Sequence, residues 1–182
     1  MPLLRVYIAM SLDGYIADRA GGVDWLNPYF CPEIDFFGFA KTIGATVWGR
    51  KTFDQARQRG EYHKESGQVV VMTHRPLPKG VPAGIEAFAG DVRELAARLK
   101  QELAGTGKDI WVGGGGESIV PFHEARLIDR WEISIIPVLL GDGLPLFPKR
   151  GPGVEGLTVT RHRALSNGII EVHYEPARAG RG

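Results

Sequence analysis

The sequence predicts a three-layer α/β/α domain built on a mixed, mostly parallel sheet. Short apolar runs, typical of buried strands, alternate along the chain with segments whose apolar residues recur at helical spacing. The last two apolar runs flank Asn167-Gly168, a dipeptide typical of tight β-hairpins. The alternation therefore predicts parallel strands, and the hairpin predicts an antiparallel addition at the end of the chain.

Buried strands are expected where short apolar runs end in turn residues, as the first run does at Ser11-Leu12-Asp13-Gly14. The predicted strands are Leu3–Met10, Ala45–Trp48, Gln68–Thr73, Asp109–Val112 and Arg130–Leu140, with hairpin arms at Leu157–Leu165 and Ile169–Tyr174.

Helices are expected between these strands. Pro32 suits the first turn of a helix over Pro32–Lys41, and a short helix is expected to begin after Gly49-Arg50-Lys51-Thr52. Asp91 is a typical N-cap, Glu94 completes a capping box, and an apolar face follows at helical spacing. A last helix is expected to open at Glu117.

The composition is that of one soluble globular domain, with 182 residues of which 43% are hydrophobic and 24% charged. We expect residues 1–176 to form this domain and residues 177–182 to be a disordered tail. Cys31 is the single cysteine, which excludes an internal disulfide. The formal net charge of +1 argues against nucleic acid or an acidic membrane surface as a partner.

No apolar run approaches the length that crosses a membrane, and Asp13 interrupts the N-terminal run too soon for a secretory signal. Because the chain also carries a single thiol, the expected compartment is the cytoplasm.

Four consecutive glycines follow the predicted strand Asp109–Val112 and precede a predicted helix. A strand that passes through glycine into a helix presents free backbone N–H groups and the positive end of the helix dipole, which suits a pyrophosphate. The pattern is neither the G-x-G-x-x-G fingerprint nor a P-loop. The alternative is a tight strand–helix crossing without a ligand.

Two further strand ends carry cations and hydroxyls, at Gly49-Arg50-Lys51-Thr52 and at Thr73-His74-Arg75. Each is open to the alternative of a solvated turn, but ligands of α/β sheets gather at the carboxyl ends of strands. The coincidence of three such ends favours a dinucleotide, and the cations favour one with a 2′-phosphate.

Metal and nucleophile chemistry find no support in the sequence. The histidines His63, His74, His123, His162 and His173 lack ligand spacing with acids or cysteine, so no metal site is predicted. Nothing marks Cys31 as activated, and Ser118 lacks the second glycine of a nucleophile elbow, so the sequence argues against a hydrolase.

The chain resembles the dihydrofolate reductase superfamily, particularly the reductase domain of bifunctional riboflavin-biosynthesis deaminase-reductases and its stand-alone relatives. The resemblance spans nearly the whole chain and rests on five ordered blocks: Tyr7–Ala17, Asp24-Trp25-Leu26, Val47–Phe53, Val112–Gly116 and Pro137–Phe147.

The resemblance implies NADPH as hydride donor, with the Ala9 backbone beside the nicotinamide carboxamide and the loop from Asp13 to Trp25 closing over the ring. It implies that Asp24 and Trp25 border the substrate. It implies that the adenosine phosphates lie among Gly49, Arg50, Lys51, Thr52, Thr73, His74 and Arg75, and that the pyrophosphate lies on Gly113, Gly114, Gly115, Gly116, Glu117 and Ser118.

The chain departs from the family pattern at the substrate. The riboflavin branch has a substrate-contacting glutamate where this chain has Gly113, and the pterin-binding acid of dihydrofolate reductases corresponds to Glu33 or Asp35. The proton that completes reduction then comes from Asp35, Glu33 or a bound water. The alternative for both acids is stabilisation of a helix N-terminus.

The leading hypothesis is an NADPH-dependent reductase of a small heterocycle, of the riboflavin-pathway aminopyrimidine type or the dihydropterin type. The alternative is a non-catalytic NADP-binding homodimer of the same fold, and a third hypothesis is a structural protein whose glycines serve packing. The resemblance implies a homodimer, because relatives of the riboflavin type often pair through the sheet and its late strands, and the segment Arg130–Leu140 is apolar enough for such pairing.

Overall fold

A computed structural model describes residues 1–60, 67–148 and 154–177. Its main feature is an eight-stranded sheet in the order β5-β4-β3-β6-β1-β7-β10-β9. Every neighbouring pair from β5 to β7 is parallel, while β10 runs antiparallel to both β7 and β9. A two-stranded antiparallel sheet pairs β2 with β8.

The strands are β1 (Leu4–Ser11), β2 (Tyr15–Ala17), β3 (Ile43–Gly49), β4 (Gln68–Met72), β5 (Ile85–Phe88), β6 (Asp109–Val112), β7 (Arg130–Ile136), β8 (Leu144–Pro145), β9 (Leu157–Ala164) and β10 (Ile170–Pro176). The helices are α1 (Phe36–Lys41), α2 (Arg50–Arg59), α3 (Val92–Glu102) and α4 (Gly116–Glu124), with a 3₁₀ helix over Asp24–Tyr29.

The sheet is covered on both faces because alternate residues of its central strands are apolar on one face and on the other. Val47, Val70 and Ile110 pack with the leucines of α3 and with Ile119 and Phe122 of α4. Their sequence neighbours face the opposite side, where a second core includes Phe53 of α2. On that same side Phe39 of α1 stacks on Tyr7 of β1, with ring centroids 4.2 Å apart. The three-layer α/β/α prediction with a mixed, mostly parallel sheet is confirmed.

The terminal hairpin forms as predicted around Asn167-Gly168. Gly168 adopts a φ of +87°, and the Leu165 N–H donates to the Ile169 carbonyl to close the turn. Residues 178–182 of the predicted tail lie outside the described residues.

Helix α1 is shorter than predicted, since it begins at Phe36 and leaves Pro32 and Glu33 in the preceding loop. The Asp35 carboxylate accepts a hydrogen bond from the Gly38 N–H at 2.7 Å and so caps the helix at that point. The prediction that Pro32 occupies the first turn is therefore wrong. An aspartate that can serve as N-cap defines the helix start more strongly than an upstream proline.

Strand β7 lies inside the sheet, between β1 and β10, and its apolar side chains are buried within one chain. The apolarity of this segment therefore serves the core. The edge strands of the sheet are β5 and β9, and β9 is the more exposed of the two. Pairing of two copies stays a prediction, and β9 is the edge that offers it.

A buried ion network joins the first strand to its neighbours. Arg5 donates to both carboxylate oxygens of Glu132 at 2.8 Å and to Asp109 at 3.1 Å, and its guanidinium lies over the Phe39 ring. The side chains of Arg5 and Glu132 are 10% and 5% exposed. Two charges this deep in a core depend on their ion pairs, and the bidentate contact between Arg5 and Glu132 is the closest pairing that either makes.

We expect Glu132→Gln to lower the free energy of unfolding by about 1 to 3 kcal/mol, because Arg5 would lose its bidentate counter-charge and keep only Asp109. The matched control is Glu175→Gln, on the neighbouring strand, whose ion pair with Arg130 is 40% and 32% exposed and should cost less than about 1 kcal/mol. Urea unfolding of both variants measures the difference. Equal losses would show that burial does not set the strength of the Arg5 pair.

Candidate functional site

A cleft of about 1070 Å³ opens where β3, β4 and β6 end. Its floor includes Tyr7 and Ala9 of β1, and its rim includes the loop that follows β2. Since all these strands are parallel, their carboxyl ends meet at one edge of the sheet, where α/β proteins hold their ligands.

Two helix N-termini open into this cleft without a side-chain cap. The N-cap of α2 is Gly49 and that of α4 is Gly115, and neither offers a side-chain hydrogen bond to the first turn. By contrast, α1 and α3 are capped by the carboxylates of Asp35 and Asp91. The first-turn N–H groups and positive dipole ends of α2 and α4 are therefore available to an anion in the cleft.

Glycine is required where these two helix starts approach each other. A Cβ on Gly49 would lie 2.2 Å from Ser118 Oγ, and a Cβ on Gly114 would lie 2.6 Å from Thr52 Oγ1. Gly114 also has a φ of +104°, which side chains rarely adopt. Gly115 differs, because a Cβ there would meet only Ile16 Cδ1, at 4.0 Å, and would stand in open space.

The structure brings the predicted dinucleotide-binding residues together in one place. All but one of these predicted residues line the cleft: Ala9, Gly49, Arg50, Lys51, Thr52, Thr73, His74, Arg75, Gly114, Gly115, Gly116, Glu117 and Ser118. Gly113 does not line the cleft, and its N–H donates to the Val47 carbonyl at 2.9 Å as part of the sheet. A Cβ on Gly113 would meet Trp48 and Trp111, so this glycine allows the two indoles to pack.

The cations of the cleft differ in whether their side chains already have hydrogen-bond or ion-pair partners. Arg50 is engaged, since its Nε donates to Asp54 at 2.9 and 3.0 Å and its Nη1 donates to the Pro76 carbonyl at 3.1 Å. It ties the start of α2 to the loop after β4. Lys51 is exposed with Glu117 3.9 Å away, and the exposed Arg75 guanidinium makes no ion pair to the described residues. Lys51 and Arg75 are therefore the cations free to meet a phosphate.

The predicted substrate residues Asp24 and Trp25 begin the 3₁₀ helix beside Ala9. Asp24 is exposed, whereas Trp25 packs in an apolar cluster with Ala9 and Ile136. Trp25 Nε1 is buried and has no hydrogen-bond partner among the described residues. A buried donor without a partner is uncommon in folded proteins, and a ligand would satisfy it.

The candidate catalytic acids lie outside the cleft lining, and each carboxylate has a structural partner. Glu33 accepts hydrogen bonds from the backbone N–H of Ser166, at 2.9 Å, and from its hydroxyl, which hold the pKa of Glu33 below its ordinary value. Asp35 caps α1. A lowered pKa opposes proton donation by Glu33 near neutral pH.

Sequence reasoning missed Tyr7 as a cleft residue. Tyr7 stacks on Phe39, and burial, followed by the charges of Glu171 and Glu132, raises its pKa to about 12. Its hydroxyl is therefore protonated at neutral pH and able to donate. The alternation of β1 offered a signal, because Tyr7 and Ala9 share a face that the core residues Val6 and Ile8 do not.

The loop between β1 and β2 is held in place from the far side of the cleft. Asp13 accepts hydrogen bonds from Ser11, from the Leu140 N–H at 3.2 Å and from the Gly141 N–H at 2.7 Å. These bonds, that of Ser11 foremost, lower the pKa of Asp13. Asp13 thus serves the turn, which keeps this loop against the residues that precede β8.

Among the described residues, no group of three or more acidic, histidine or cysteine side chains could hold a metal ion. Within the same residues no helix is long and apolar enough to cross a bilayer.

The sheet order and the position of the cleft define a dihydrofolate reductase-like fold. Residues 2–170 match the family described as the RibD C-terminal domain, and the chain belongs to that reductase-like family. YwjB of Bacillus subtilis, an uncharacterized protein, is 34% identical over 145 residues, which cover 78% of this chain and 80% of YwjB.

Solved structures agree with this assignment. A protein from Shewanella sp. PV-4, named as a candidate riboflavin biosynthesis protein, is 28% identical with a TM-score of 0.85 and coverage of 97% of this chain and 99% of its own. Dihydrofolate reductase from Enterococcus faecalis complexed with NADP(H) is 19% identical with a TM-score of 0.65 and coverage of 97% of both chains. The second likeness concerns the fold alone.

Tyr7 should make the protein less stable at high pH. The unfolded chain releases the tyrosine proton near pH 10.0, whereas folded Tyr7 keeps it to about 12, so stability falls as the pH rises through this window. Tyr7→Phe removes this loss. Urea unfolding at neutral pH and across the window, on wild type and variant, should give a shallower decline for the variant; identical declines would contradict the assignment.

Proposed function

We propose that the protein is an NADPH-dependent reductase that transfers hydride to a small heterocyclic substrate. The observation that carries the proposal is the pair of glycine-capped helix N-termini that open into one cleft. Two sets of free N–H groups side by side suit the two phosphates of a pyrophosphate. Membership of the RibD C-terminal domain family supports the same function.

The residues of the cleft fit the cofactor in chemistry and size. The N–H groups of Gly116 and Glu117 would bind the pyrophosphate, and Lys51 and Arg75 would bind the 2′-phosphate as free cations. Arg50 holds the loop of Arg75 through the Pro76 carbonyl. NADPH, when bound, supplies the hydride.

The nicotinamide end would lie along Ala9, where Leu26 lines the cleft and Trp25 packs behind it in the same apolar cluster. These apolar side chains exclude water and restrict the orientation of the substrate ring. The unpartnered Trp25 Nε1 would donate to an acceptor on the cofactor or the substrate. The hydrogen bonds from Ser166 lower the pKa of Glu33 and so oppose proton donation by its carboxyl group. A water in the cleft would therefore supply the proton that completes the reduction.

The substrate class is a planar heterocycle of the aminopyrimidine or dihydropterin type. The RibD C-terminal domain family favours the first. The composition, with a single thiol, favours the cytoplasm as the place of the reaction. A non-catalytic NADP-binding homodimer is the alternative, and its signature is dinucleotide binding without NADPH oxidation by any heterocycle of either type.

Cofactor choice should depend on Arg75. We expect Arg75→Ala to weaken the affinity for NADPH by about tenfold, because it removes one charge-assisted phosphate contact. The affinity for NADH should stay nearly unchanged. Arg57→Ala, an exposed arginine at the far end of α2, is the matched control and should change neither affinity. Fluorescence titration with both dinucleotides measures this.

Absorbance at the NADPH band then tests turnover with aminopyrimidines and dihydropterins. Failure of the wild type to bind either dinucleotide would overturn the proposed function. Binding with no oxidation across both substrate types would favour the non-catalytic homodimer.

A further inference from the structure

A row of polar side chains lies beside Ala9 on the sheet face that α1 covers. Ala9 of β1 is opposite Ser134 of β7, and Ser134 is opposite Glu171 of β10. Directly opposed residues share a face of the sheet, and Tyr7 lies on that face two residues before Ala9. We call Tyr7, Ser134 and Glu171 the polar floor.

The polar floor has hydrogen-bonding capacity that the protein does not use. Ser134 and Glu171 are each only 8% exposed. The hydroxyls of Tyr7 and Ser134 make no hydrogen bond to the described residues, and Glu171 accepts only through Oε2, from Arg163. With the orphaned Trp25 Nε1, these groups offer three donors and a carboxylate oxygen to a ligand.

The cations near the polar floor are already neutralised. Arg163 donates to Glu171 and, through Nη2, to the Glu33 carbonyl at 2.8 Å. Arg5 is held between Glu132 and Asp109. The free cations Lys51 and Arg75 line the cleft at the ends of β3 and β4. Of the polar floor only Tyr7 lines that cleft, and Ser134 and Glu171 continue the same sheet face beyond it. A phosphate beside the polar floor would therefore meet carboxylates without a free positive partner.

We propose that the substrate is a planar heterocycle without a phosphate group, which donates ring or amino N–H groups to Glu171 and accepts hydrogen bonds from Tyr7 and Ser134. The inference rests on the proposed function, because a cofactor ring along Ala9 would place the substrate next to Ser134 and Glu171 on the neighbouring strands. It deepens that function by assigning recognition of the heterocycle to β10 rather than to an acid of the first helix.

The test uses two ligands that differ only in the phosphate: 5-amino-6-ribosylaminouracil and its 5′-phosphate. Calorimetric titration of the NADP⁺-saturated protein should give the nucleoside an affinity equal to or higher than that of its 5′-phosphate. A phosphate form that binds about tenfold tighter overturns the proposal, since a free cation would then serve the site. Absence of binding by both ligands also overturns it.

Variants separate recognition from folding. Glu171→Gln should weaken the affinity for the nucleoside by about tenfold and leave the affinity for NADP⁺ unchanged. The control is Glu175→Gln, which changes another arginine-paired acid on β10 and should alter neither affinity. Tyr7→Phe and Ser134→Ala remove only hydroxyls without protein partners, so both should fold normally and still weaken the nucleoside. Unchanged nucleoside affinity in all three floor variants overturns the proposal.

The proposed function fails separately from this inference. If NADP⁺ does not bind, the same nucleoside titrations on the protein alone still test the polar floor. Nucleoside binding that depends on Glu171 without dinucleotide binding would keep the floor as a heterocycle site and remove the reductase.

Discussion

The close approach of two strand ends determines most of what this cleft can do. Strands β3 and β6 are parallel neighbours, so the helices that follow them, α2 and α4, begin side by side. Only glycine at positions 49 and 114 leaves room for Ser118 and Thr52 between them. The same absence of side chains leaves the first-turn N–H groups uncapped and directed at a shared space, which makes an anion the natural partner.

The rest of the sheet keeps this arrangement rigid. One apolar set packs on α3 and α4, the other on α1 and α2, so neither face of the central strands is exposed. Arg5 and Glu132 join β1 to β7 inside this core, and Asp109 links them to β6. The charges are separated, with Lys51 and Arg75 near the starts of α2 and α4 and the paired acids Glu132 and Glu171 near Ala9.

Local patterns predicted the helices and strands well because each is short and bounded by its own signals. Strand Asp109–Val112 has the predicted limits, and the hairpin formed where Asn167-Gly168 indicated it. Strand β5 was missed, because four residues with Glu86 among them carry no clear alternation, and only pairing with β4 makes them a strand. Such pairing is a long-range effect that a local pattern does not contain.

The residues proposed for the dinucleotide were predicted from glycines and cations at strand ends, and all but Gly113 line one cleft because parallel strands end at the same edge of the sheet. The acids were harder to interpret. Glu33 is held by Ser166, 133 residues further along the chain, and this contact exists only once the hairpin packs beside the first helix. Gly113 was assigned to the phosphate with its neighbours, but its N–H is used by β3, which sequence spacing alone does not reveal.

The most direct test of the account is the affinity of Gly115→Ala for NADP⁺, measured by calorimetry beside its thermal stability. A Cβ at this position enters open cleft space, and the loss of a glycine N-cap is offset by the reduced freedom of the unfolded chain. We predict a melting temperature close to that of the wild type and an affinity at least about tenfold weaker, because the methyl group occupies the place of the pyrophosphate. An unchanged affinity would contradict the claim that the α4 N-terminus holds the dinucleotide.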